Sequence, residues 1–207
     1  KDDLMNTTPA ELDALAQAAA RAHPIMARAT DAERAGWLRA VADRLDAHRG
    51  ELAALADQET RLGAERLAGE VVRTTNQLRL FADVVTEGSY LEAVIDHAAP
   101  GATPPRPDLR RILVPLGPVA VFSASNFPFA FSVAGGDTAS ALAVGCPVVV
   151  KAHSGHVRLS RRTAELVTAA LGDAGAPTGA FALVEGRDAG VALVEHPTSL
   201  DEAGIDA

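Results

Sequence analysis

The chain has 207 residues, of which 48% are hydrophobic and 22% charged, with a formal net charge of −8 at pH 7. That composition describes a globular chain able to bury a sizeable core. The acidic balance argues against nucleic-acid or anionic-membrane partners, and no apolar run reaches the roughly 18 residues of a membrane span.

One cysteine excludes an internal disulfide and suits the cytoplasm, and Lys1-Asp2-Asp3 ahead of a polar helix does not read as a signal peptide. Thr8-Pro9-Ala10-Glu11 is a capping-box pattern with proline at the first helical position, followed by Leu12, Leu15, Ala16 and Ala19 at helical spacing. Thr30-Asp31-Ala32-Glu33 repeats the start signal, and Trp37, Leu38, Val41, Ala42 and Leu45 form the stripe behind it. Gly50 is expected to end that helix, and a third should run from about Glu51 to Thr60. A long helical pattern then passes through Leu67, Val71, Leu78, Phe81 and Val85 and stops at Gly88. Together these predict a four-helix layer whose charges form a solvated outer face.

Residues 99–107 hold four prolines and no periodicity, which predicts a loop, and Arg110 to Pro115 suits an extended segment. Pro118 to Phe122 has the length and composition of a buried strand. A polar break follows, Ser123-Ala124-Ser125-Asn126, then Phe127-Pro128 and a small-residue helical segment closed by Gly145. Cys146 to Val150 is a second buried strand, Leu159 to Leu171 a helix, Phe181 to Val184 a third strand, and Ala189 to Glu195 a last short helix. Strand, helix and strand in succession predict parallel pairing, with ligands at the carboxyl ends of the strands. The fold class is therefore α/β, a helical layer packed on a parallel Rossmann-like sheet.

Three features bear on chemistry. Asn126 stands at the carboxyl end of the first buried strand, where its amide fits either a helix cap or a rigid donor to a developing oxyanion. Lys151 ends the second, and of the 19 basic residues only Lys1 and Lys151 are lysines. It belongs either to a solvated turn or to an anion site. Cys146, between Gly145 and Pro147, reads as a small buried hydrophobe. His153 and His156 have an H-x-x-H spacing that nothing nearby completes into a metal site, so the turn reads as surface. No G-x-G-x-x-G follows the first strand.

LGPVAVFSASNFPF followed by AVGCPVVVKAHSGH resembles the cofactor-binding segment of the aldehyde dehydrogenase family, nearest to bacterial NADP-dependent semialdehyde dehydrogenases. The resemblance runs to His196-Pro197 and then stops. It implies oxidation of a small aldehyde, such as 2-oxoglutarate semialdehyde, to the acid, with NADP or NAD as cofactor, by a homodimer or homotetramer. It implies that Asn126 stabilises the oxyanion, that Ser123, Ala124 and Ser125 line the nicotinamide side, and that Lys151 reaches the adenosine ribose. His153, Ser154 and Arg187 join the cofactor set, with Arg158 a further candidate. In NAD-using members an acid commonly stands where Ser154 is. Its carboxylate would repel a 2′-phosphate, which Lys151 with a serine accepts. The family's nucleophilic cysteine lies far downstream of the lysine, outside this chain. The implied organisation is a helical layer over 1–98, a linker or bridging segment over 99–115, a nucleotide-binding core over 116–197 and a tail over 198–207. The competing reading is a catalytically inactive nucleotide-binding or assembly module.

Overall fold

The computed structural model describes residues 6–197, so the Ser199 to Glu202 capping pattern lies outside the described residues. Both other capping boxes form. In α1 (Pro9–Met26) and α2 (Asp31–Ala47) the threonine side chain accepts the third helical N–H, and Glu11 and Glu33 each reach back to the cap N–H at 2.7 Å. The break before α3 (Arg49–Thr60) falls at His48 rather than Gly50. His48 leaves the helical region and its Nδ1 lies 2.9 Å from the Arg44 carbonyl, so a side chain ends α2 and Gly50 sits in the first turn of α3. α4 (Ala64–Glu87) runs between Gly63 and Gly88.

A 3-10 turn at Ser89–Leu91 leads to an antiparallel pair, β1 (Val94–Asp96) and β2 (Leu109–Arg111), exposed throughout. The sequence expectation of an extended stretch covered only the second of these. The main sheet is parallel, in the order β3 (Val119–Phe122), β4 (Val148–Lys151), β5 (Phe181–Val184). The crossovers are α5 (Gly136–Val144) and α6 (Val157–Asp173), and α7 (Arg187–Val194) follows β5. No helix among the described residues is long and apolar enough to cross a membrane.

Side-chain alternation along the strands divides the core. Val119, Val121, Val148, Val150, Phe181 and Leu183 face the larger cluster, which α2 to α6 build on one side of the sheet together with Ala22 and Met26 at the end of α1. Ala120, Val149, Ala182 and Val184 face the other side, against Leu12, Ala19, Ala189 and Leu193. The four amino-terminal helices therefore do not form one layer. α1 crosses to pack beside α7, because a parallel sheet presents two apolar faces and both must be covered.

Residues 123–135 are turns, and the helix expected just after Pro128 begins only at Gly136. The Gly136 N–H bonds the Ala130 carbonyl at 3.0 Å, and a Cβ at Gly135 would stand 2.4 Å from that same oxygen. The chain doubles back on itself there, and only a residue without a side chain fits.

Leu38 is fully buried where α2 meets the larger cluster. Leu38→Ala is expected to cost about 2–5 kcal/mol of stability, read as a lower urea midpoint at unchanged slope.

Candidate active site

The three parallel strands end along one edge, and hydrogen bonding continues past them. Ser123 N–H bonds the Lys151 carbonyl at 3.1 Å and Ala152 N–H bonds the Val184 carbonyl at 2.9 Å. The turns after β3, β4 and β5 are thereby held side by side.

The turn after β3 carries Ser123, Ala124, Ser125 and Asn126. Ser123 is buried and its Oγ has no protein partner among the described residues, while Ser125 and Asn126 are exposed. Asn126 lies ten residues before the first residue of α5, so it does not cap that helix. Its carbonyl accepts from Arg66 Nη2 at 2.7 Å. Glu70 Oε1 accepts the backbone N–H groups of Phe129 and Ala130 at 2.9 and 3.0 Å. Glu70 is 5% exposed and belongs to the buried stripe of α4, not to its solvated outer face.

His156 joins the first two turns and is fully buried, which corrects the surface-turn expectation for this residue. Its Nε2 lies 2.9 Å from the Ala124 carbonyl; a carbonyl only accepts, so Nε2 is the protonated nitrogen. His153 stacks on it at 5.5 Å and accepts the Gly155 N–H at Nδ1, 3.0 Å away. Burial, with smaller effects from His156 and Lys151, pushes His153 below the ordinary histidine value.

Lys151, Ser154 and Arg187 meet in a cleft of about 420 Å³ at the ends of β4 and β5, together with Asn6, Glu185, Gly186 and Asp188. Ser123, Ala124, Ser125 and His153 are not in its lining. A Cβ at Gly190 would stand 3.3 Å from Lys151 Cε, so the glycine makes room for the lysine stem against α7. Arg161 holds both oxygens of Glu185, at 2.7 and 2.8 Å, which leaves Asp188 as the open carboxylate of the lining. Arg158 turns away toward α3: its Nη2 donates to Gln58 Oε1 at 3.4 Å and its backbone N–H to Glu59 at 3.1 Å. The lining thus carries two cations, Lys151 and Arg187, the Ser154 hydroxyl and the carboxylates of Glu185 and Asp188.

A larger cavity of about 680 Å³ lies under Ile112 to Leu116 and includes Cys146. It opens at the amino ends of β3 and β4. At about 3.3 Å per residue, a four-residue strand separates those ends from the Asn126 edge by roughly 13 Å. Cys146, 3% exposed, is thus remote from Asn126. No group of three or more His, Cys, Asp or Glu side chains able to hold a metal occurs among the described residues.

The sequence model of the aldehyde dehydrogenase family matches residues 2–199. The chain belongs to that family. It is 53% identical over 180 residues to alpha-ketoglutaric semialdehyde dehydrogenase 2 of Azospirillum brasilense, covering 86% of this chain and 33% of the relative. It is 46% identical over 188 residues to alpha-ketoglutaric semialdehyde dehydrogenase of Acinetobacter baylyi, covering 90% and 36%. The chain thus spans about a third of the length of these curated relatives. Among solved structures, an Escherichia coli NADP dependent enzyme matches with a TM-score of 0.76 at 28% identity, over 92% of this chain and 37% of that one. A mutant of 1-pyrroline-5-carboxylate dehydrogenase from Thermus thermophilus matches with a TM-score of 0.80 at 24% identity, over 94% and 36%; at that identity the likeness speaks for the fold.

For this aldehyde dehydrogenase chain, sequence reasoning named the turn but missed what surrounds it: Arg66, Glu70, His156 and the Glu185–Arg161 pair. One signal was present. Glu70 falls in register with Leu67, Val71 and Thr74, the buried stripe of α4.

The His153 shift has a definite sign. A histidine whose folded pKa is depressed contributes stability that is complete above its unfolded value and lost as pH falls through the folded one. From about pH 7 to about pH 5, His153→Asn is expected to lose less stability than the wild type, measured by denaturant titration at both ends. Identical losses would show that the ring does not resist protonation.

Proposed function

We propose that this chain forms the helical and first-strand portion of an NADP-preferring aldehyde dehydrogenase that oxidises a small oxo-acid semialdehyde, such as 2-oxoglutarate semialdehyde, to the carboxylic acid. The observation that carries the reading is the shared edge: the exposed Asn126 turn and the Lys151–Ser154 cleft stand at the carboxyl ends of adjacent parallel strands. Identity to the two alpha-ketoglutaric semialdehyde dehydrogenases supports the substrate class. Bound NADP supplies the hydride acceptor.

In this reading Asn126 directs its side-chain N–H groups at the oxygen that becomes negative when a thiolate adds to the aldehyde carbon. Its carbonyl is occupied by Arg66, so the amide side chain is the polar group left facing outward. Ser123, Ala124 and Ser125 form the wall beside it. Lys151 provides the charge and Ser154 the hydroxyl for a 2′-phosphate, with Arg187 at the rim of the same cleft. His153 contributes packing rather than positive charge, since burial favours its neutral form. The attacking thiolate is not Cys146, which is buried at the other end of the strands.

We assign residues 1–98 to the helical part, 99–115 to a bridging segment and 116–197 to the nucleotide-binding core. The enzyme works in the cytoplasm as a homodimer or homotetramer. Val94, Ile95 and Leu109 on the exposed hairpin, and Ile112 to Val114 beyond it, support assembly through that edge.

Two measurements on the complete enzyme test this reading. Fluorescence titration is expected to show tighter binding of NADP than of NAD, and Ser154→Glu to reverse the order through like-charge repulsion. A wild-type preference for NAD would sink the phosphate assignment. Asn126→Ala is expected to lower turnover by roughly two to three orders of magnitude, with NADP affinity within about threefold. Unchanged turnover would remove Asn126 from the chemistry.

A further inference from the structure

We infer that α4 is the positioning device for the Asn126 turn, acting through Glu70 and Arg66, and that these two side chains govern the rate of the chemical step without touching substrate. The inference rests on the oxyanion reading of Asn126.

Residues 123–135 have no helix or strand of their own to fix them. Inside the turn the backbone hydrogen bonds run from Ala124 N–H to the Phe131 carbonyl at 2.8 Å, Phe131 N–H to Phe127 at 3.3 Å, Ser132 N–H to Phe129 at 3.4 Å, Gly135 N–H to Ser132 at 3.0 Å and Gly136 N–H to Ala130 at 3.0 Å, and none of these engages Asn126. Such a segment takes its precision from outside. Glu70 stands in the second turn of a 24-residue helix and receives two consecutive backbone N–H groups, of Phe129 and Ala130, on one carboxylate oxygen. Its other oxygen is buried and lies 3.9 Å from Arg66 Nη2. Arg66, one turn earlier, takes the Asn126 carbonyl at 2.7 Å and lies over the Phe127 ring at 5.3 Å. Arg73, one turn later, covers Phe127 at 5.8 Å and Phe131 at 5.3 Å, and those rings meet edge to face at 5.2 Å.

Three side chains on successive turns of one helix therefore grip the turn on both sides of Pro128. Arg66 holds the peptide group that follows the Asn126 Cα, which fixes the direction in which the asparagine side chain leaves the backbone. Glu70 prevents the downstream half from rotating about Pro128. An oxyanion donor is effective only when it is already placed, and a displacement of about 1 Å costs on the order of a hundredfold in rate.

The test is a set of double-mutant cycles in the complete enzyme, with kcat and both KM values measured for Glu70→Ala, Glu70→Gln, Arg66→Met and Asn126→Ala. Glu70→Ala is expected to lower kcat about a hundredfold and Arg66→Met about tenfold, with KM for NADP within about threefold. Glu70→Gln should recover most of the loss, because its amide oxygen still accepts both N–H groups. In the Asn126→Ala background either substitution should cost less than about threefold more, since the group they place is gone. Arg66 is partly exposed and its removal leaves the core intact, so it carries the test if Glu70→Ala fails to fold. Losses that multiply with Asn126→Ala, or a lowered Tm with unchanged kcat, would overturn the positioning role and leave the oxyanion reading standing. An inactive effect of Asn126→Ala itself would overturn both.

Discussion

The constraint on which this structure depends is that β3, β4 and β5 are parallel. Parallel strands cannot be joined by hairpins, so each connection is a helix that must return along the sheet, and both faces end up covered. β4, the middle strand, shows the consequence most directly. Val148 and Val150 are buried against the α2 to α6 side, and Val149 is buried against α1 and α7. Because all three strands point the same way, every turn that follows a strand lies on one edge. The Asn126 turn, the Lys151 to His156 turn and the Glu185 to Arg187 turn are neighbours for that reason alone, though Asn126 and Arg187 are far apart in the chain.

The sheet was legible because burial on both faces leaves a plain mark: uninterrupted apolar runs of strand length, Pro118 to Phe122, Cys146 to Val150 and Phe181 to Val184. Capping boxes were legible because their chemistry is local, a threonine and a glutamate three residues apart. What depends on partners remote in sequence was not. The end of α2 was read at Gly50, where propensity puts it, whereas the side chain of His48 closes the helix one turn back on itself. β1 left no sequence mark because all three of its residues are exposed and none needs to be apolar. The place of α1 was not legible either: its stripe states that one face is buried, and nothing in its spacing says against which side of the sheet.

At the cleft, electrostatics turn on which acids are engaged. Glu185 follows β5 and lines the site, and an unpaired carboxylate there would oppose a phosphate as effectively as one at position 154. Arg161, from the first turns of α6, binds both its oxygens with the planar fork that suits a carboxylate. The pair is largely shielded from water, with side chains 28% and 12% exposed, so its charges are compensated where they stand. The backbone N–H of Glu185 is taken by Thr7 Oγ1 at 2.9 Å, so the segment entering α1 also braces this turn. Pairing Glu185 thus removes one of the two acids of the lining from the balance and leaves Asp188 against Lys151 and Arg187.

Glu70 follows from a similar accounting, carried out on the backbone. Phe129 and Ala130 are buried, and the turn that contains them is not a helix, so their N–H groups have no carbonyl one turn back to bond. A buried backbone donor left unpaired costs about 1–3 kcal/mol, and here two adjacent donors need an acceptor. One carboxylate oxygen meets both, at 2.9 and 3.0 Å. The burial of an acid in the apolar stripe of α4 is therefore the condition for letting the chain run through the interior as a turn. Had a helix begun at residue 129, its first N–H groups would still have lacked an intrahelical carbonyl, so these two donors need an outside acceptor in either conformation. The buried acid meets a demand that the backbone makes where it enters the interior, and it anchors the chain three residues beyond the exposed Asn126.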